Sequence, residues 1–137
     1  MLFRSIFLPK TWSVVLPENR DQSVSTGYTW DVSKNWAVKC QFDFYAGKIY
    51  LCSEMTRMED PQARLSCVRA LEQEKFKLMK SAFTDEAIYS RFFGANHPIS
   101  DMGDEQEVRA AITHLLAKAK EKFPAAEKAF REVFGQR

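Results

Sequence analysis

The stretch WAVKCQFDFYAGKIYLCS, residues 36–53, decides the fold, because its side chains alternate in polarity with a period of two. Trp36, Val38, Cys40, Phe42 and Phe44 fall on one face, and Ala37, Lys39, Gln41, Asp43 and Tyr45 fall on the other. Successive side chains of a strand point to opposite sides of the sheet, so this pattern predicts a strand with one apolar face. With Ala46 and Gly47 as a two-residue turn, the run folds back on itself as a hairpin. Phe44 then faces Ile49, Phe42 faces Leu51, Asp43 faces Tyr50 and Tyr45 faces Lys48. A slip of one residue would carry Ile49 and Leu51 to the polar side, so the pattern penalises other registers. Ala46 is the least favourable residue in this scheme, since tight hairpin turns call for positive φ.

Upstream, three further strands are expected, at residues 2–8, 12–16 and 27–32. Pro9 and Pro17 mark the ends of the first two, because proline removes a ladder donor and fixes φ. A polar loop over residues 17–26 follows, and Ser33, Lys34 and Asn35 turn the chain into the hairpin. Downstream the signals are helical. Asp60 as N-cap and Pro61 at the first helical position open a helix expected to run to Phe83, with Leu65, Val68, Leu71, Leu78, Ala82 and Phe83 among its apolar residues. Thr84 reads as the cap of a short second helix that turns Ile88, Tyr89, Phe92 and Phe93 inward and stops at Gly94. After a loop over residues 95–103, Asp104 and Glu107 at capping-box spacing open a third helix, which Pro124 should end or kink. Together these elements predict a single α+β domain over residues 1–137. It consists of an antiparallel sheet of about four to five strands in the N-terminal half, packed on one face by the C-terminal helices.

The 137-residue chain is 45% hydrophobic with eleven Phe, three Trp and four Tyr, so large flat side chains are expected to fill its core. Its 20 basic and 18 acidic residues give a net charge of +2, far from the strongly basic balance of a dedicated nucleic-acid binder. The apolar run at residues 1–8 is too short for a signal-peptide core or a membrane span, which makes a cytoplasmic location the expectation. Three cysteines fit reduced thiols there. Cys40 and Cys52 fall on opposite faces of the hairpin, a placement that disulfide geometry does not accommodate.

Motifs that carry chemistry are missing. The two histidines, His97 and His114, belong to no CxxC or HxxxH pattern, and the five glycines are scattered rather than grouped in a phosphate-binding loop. A nucleophilic pair could assemble in space only from Cys52 or Cys67 with His97 or His114, without any local signature. No catalytic residue, cofactor or metal is therefore expected. Arg64, Arg69, Lys75, Lys77 and Lys80 are spread around the first long helix and read as solvated.

The outer face of the hairpin, together with the polar loop over residues 17–26, is the candidate site. Lys39, Gln41, Asp43, Tyr45, Lys48 and Tyr50 share it, and tyrosine offers large contact area with little rotamer entropy to lose. The expected function is a small non-enzymatic protein-binding domain, an inhibitor or neutralising partner (of the immunity or anti-defence type) of a larger protein. A single-stranded RNA or DNA binder using the same lysines and tyrosines is the alternative. A third reading, an aromatic pocket between sheet and helices serving an enzyme or ligand carrier, would involve His97 or His114.

Overall fold

A computed structural model of the chain describes residues 1–17, 37–56, 58, 60–84 and 89–135. Four strands, β1 (Phe3–Phe7), β2 (Val38–Phe44), β3 (Lys48–Met55) and β4 (Ser90–Pro98), form one antiparallel sheet in the order β1-β2-β3-β4. Among the described residues, three helices accompany it: α1 (Lys10–Ser13), α2 (Pro61–Gln73) and α3 (Glu105–Phe134). The α+β class is as expected. The expected strand at residues 27–32, Trp36, the loop beyond Pro17, and Ile88 of the expected second helix lie outside the described residues.

The hairpin takes the register its pattern dictates. Phe42 pairs with Leu51, Asp43 with Tyr50 and Phe44 with Ile49, and the Tyr45 amide donates to the Lys48 carbonyl at 2.9 Å. Ala46 closes the turn without a positive φ, and the turn is tied to the rest of the sheet where the Ile99 amide donates to the Gly47 carbonyl. On the inner face Phe42, Phe44, Ile49 and Leu51 pack under the first half of α3, against Ala111, Leu115 and Ala119. Val38, Cys40 and Met55 pack with Cys67, Val68 and Leu71 of α2 and with Ala126, Phe130 and Phe134 of α3.

Four sequence expectations are corrected. Residues 12–16 are not a strand: the chain turns helical at Lys10–Ser13 and buries Trp12 completely, edge-on to Phe123 (4.9 Å) and Phe130 (5.0 Å). A large indole finds more contact area among those rings than it would on a sheet edge.

The second correction concerns α2, which stops at Gln73 rather than Phe83. Lys75 adopts φ 74°, its amide donates to the Glu72 carbonyl and the Phe76 amide donates to Leu71, the pair of bonds that closes a Schellman motif. A short 3-10 turn at Lys80–Phe83 follows.

Third, the segment expected to hold a second helix supplies β4, whose residues 95–98 also replace part of the expected loop. A register shift opposite Ser53 and Glu54 leaves Phe92 outside the ladder, between Arg91 and Phe93. Adjacent Phe92 and Phe93 consequently both reach the core.

Finally, Pro124 neither ends nor interrupts α3, which runs for 30 residues or about 45 Å. Pro124 and Lys120 both lie on its exposed side, where water can replace the hydrogen bond that proline cannot donate.

Candidate protein-binding face

The outer face of the sheet collects residues from all four strands. Arg4 comes from β1; Lys39, Gln41 and Asp43 from β2; Tyr50, Cys52 and Glu54 from β3; and Arg91 from β4, with Tyr89 just before it. Sequence reasoning took Lys39, Gln41 and Asp43 as part of an exposed binding surface. Instead Lys39, Gln41 and Asp43 are 1%, 2% and 3% exposed, so burial takes these three residues off the surface.

Charges this deep are held by partners. Arg4 Nε lies 2.6 Å from the Asp43 carboxylate, and the Gln41 side-chain amide donates to the same carboxylate at 3.2 Å. Lys39 Nζ lies 3.2 Å from Glu54, whose other oxygen is 3.7 Å from Arg91. Burial lowers the Lys39 pKa, and Glu54 opposes that effect by stabilising the ammonium. The Tyr50 hydroxyl is pushed up by burial, against the pull of neighbouring Arg91.

Tyr45, Lys48 and Tyr50 do reach solvent, Lys48 as an exposed residue and the two tyrosines in part. The three described tyrosines share one arrangement, a cation over the ring: Lys48 over Tyr45 at 5.3 Å, Arg91 over Tyr50 at 5.0 Å and Lys39 over Tyr89 at 5.3 Å. Tyr89 is 42% exposed. Sequence reasoning missed Tyr89, Arg91, Glu54 and Arg4 as members of this face. A period-two reading of Tyr89 and Arg91 would have found two of them, had that segment not looked helical.

The basic set expected on the helix is also divided. Arg64 is 3% exposed and donates to the Ala82 carbonyl at 2.8 Å and to the Ser90 hydroxyl, joining α2, the 3-10 turn and β4. Lys75, Lys77 and Lys80 are exposed but lie beyond α2, and Arg69 is exposed on it.

Among the described residues no thiol meets a histidine. Cys40 faces Ser53 at 3.1 Å and Cys52 pairs with Gln41 across the ladder. Burial pushes the Cys40 and Cys67 thiols up to about 12 and Cys52 up to about 11, which suppresses the thiolate that a nucleophile requires. The structure instead brings the histidines together, with the His97 and His114 rings 5.2 Å apart on the far side of the sheet. Among the described residues no three His, Cys, Asp or Glu side chains group as a metal site.

Neither known family models, nor curated proteins, nor solved structures match this chain.

Proposed function

We propose that the chain acts by binding another protein, as an inhibitor or neutralising partner, and that it carries no chemistry of its own. The observation behind this reading is the trio of tyrosines, each with a cation over its ring, set on a bed of closed ion pairs. Tyrosines held in this way lose little freedom on association, which is what an anchor residue at a protein interface requires. Tyr45, Tyr50 and Tyr89 are the proposed anchors and Lys48 belongs to the rim.

The same observation weighs against single-stranded nucleic acid. A base stacks on an open π-face next to unpaired cations, whereas here a Lys or Arg already stands over each ring, and Arg4, Lys39 and Arg91 lie beside carboxylates. The reading takes the chain as cytoplasmic. Among the described residues no helix is long and apolar enough to cross a membrane, and the three cysteines are free and buried.

The test is retention of proteins from native cells on the immobilised chain, before and after nuclease digestion, compared with a Tyr45→Ala/Tyr50→Ala variant of unchanged circular dichroism. A discrete protein retained by the wild type in nuclease and lost by the variant supports the proposal. Retention that disappears with nuclease, or that the variant keeps, overturns it.

A further inference from the structure

The histidines at the opposite side of the sheet form a second arrangement, independent of the binding reading. His97 sits near the end of β4, paired with Ile49 in the ladder and partly buried, while His114 is exposed on α3. Their rings are 5.2 Å apart and inclined at 46°. Two imidazoles sharing one tetrahedral ion, each nitrogen ~2.1 Å from it, have ring centres about 5 Å apart. The observed separation matches that figure.

The two elements carrying the histidines are fastened to each other close by. Glu107 lies two turns before His114 on α3. Its carboxylate accepts from the Ser100 amide (2.5 Å), the Ser100 hydroxyl (2.5 Å) and the Asp101 amide (3.0 Å), just past His97 in the chain. Those bonds hold the Glu107 pKa below the usual carboxylate range, mainly through the Ser100 hydroxyl, so the clamp is charged at neutral pH. A ligand pair held on a strand and a helix that are already tied together loses little conformational freedom when an ion binds.

We propose that His97 and His114 bind one divalent transition-metal ion between β4 and α3, with water completing its coordination. The donor set fits this class of ion. Neutral imidazole suits copper, nickel and zinc, whereas calcium and magnesium require oxygen ligands. With two protein ligands and an exposed position, the site binds reversibly and is selective in the order copper over nickel and zinc.

The experiment is calorimetric titration of the untagged chain with Cu²⁺, Ni²⁺ and Zn²⁺ near pH 7.5, alongside His97→Ala and His114→Ala. The expected result is one ion per chain at micromolar to submillimolar concentrations, with affinity falling at least tenfold in either variant. The Cu²⁺ complex should show nitrogen hyperfine structure in its electron paramagnetic resonance spectrum. Should His97→Ala disturb β4, His114→Ala, at an exposed helical position, carries the comparison alone. Absence of binding at millimolar ion, or stoichiometric binding undiminished in His114→Ala, overturns the proposal.

Discussion

The ring of Tyr50 lies directly over the backbone of Gly94 on the neighbouring strand. A methyl group at Gly94 would stand 3.1 Å from Tyr50 Cζ and would overlap the hydroxyl. Glycine is needed here because of that close approach. Gly94→Ala should therefore push Tyr50 off the sheet and away from Arg91, lowering stability by about 1–2 kcal/mol, in the range of an overpacked contact. Urea denaturation reads the loss, and the Tyr50 ring resonances should move. Unshifted resonances would show that the ring does not depend on the glycine.

The Lys39 and Glu54 pair gives an asymmetric expectation. Glu54→Gln leaves a buried ammonium without its carboxylate and should cost about 3 kcal/mol. Lys39→Met removes the charge itself, while Glu54 keeps Arg91, so it should cost less. Adding Lys39→Met to Glu54→Gln should recover part of the loss, a coupling that a double-mutant cycle in urea measures. Additive losses would mean that the two groups do not depend on each other.

The cysteines are expected to weaken the fold as pH turns alkaline. Their native pKa values, about 12 for Cys40 and Cys67 and about 11 for Cys52, lie above the ordinary value of 9.0. Above pH 9 the unfolded chain releases thiol protons that the native chain retains, so the native state binds more protons and loses stability as pH rises toward 12. Tyr50, raised by burial, acts in the same direction at higher pH. Unfolding midpoints recorded from pH 8 to 11 should decline, and Cys67→Ala should make the decline shallower. At pH 8 the native thiols should resist an aromatic disulfide reagent that labels all three in denaturant.

Lys75 holds a backbone conformation that favours glycine, φ 74° at the end of α2, and its side chain is exposed. Lys75→Gly should raise stability by about 1 kcal/mol, since the side chain removed is exposed and the strain of a side chain in the left-handed region is relieved. A urea midpoint that falls would show that the lysine side chain contributes more than the strain costs.

What could be read from sequence follows from how local each signal is. The hairpin register was legible because Phe42, Phe44, Ile49 and Leu51 alternate with polar residues, and both strands belong to one short segment. Asp60 and Asp104 announced their helices through cap bonds spanning two or three residues. β4 was not legible, since the bulge at Phe92 sets two aromatics side by side and imitates helical spacing with Tyr89. The end of α2 was hidden because lysine occupies the position where glycine would have signalled it. Burial of Lys39, Gln41 and Asp43 was invisible for a different reason: their partners Arg4 and Glu54 come from other strands, and polar residues alternating with apolar ones look solvated until those partners are found. Of the candidate site, Tyr45, Lys48 and Tyr50 were legible as a surface. Tyr89 and Arg91 were lost along with β4.

On the proposed binding reading, the ion pairs beneath the tyrosines bear on how fast a protein partner would be met. Arg4 with Asp43, and Lys39 and Arg91 with Glu54, cancel much of each other's field at close range, and the chain as a whole carries only +2. A face of this kind projects little potential beyond the first layers of solvent, so it cannot draw a partner in from a distance. Association with a protein should then proceed at about 10⁵–10⁶ M⁻¹s⁻¹, the range for unsteered encounters, and should change little between low and physiological salt. Differences in affinity among variants of the face would consequently be expressed in how long the complex lasts.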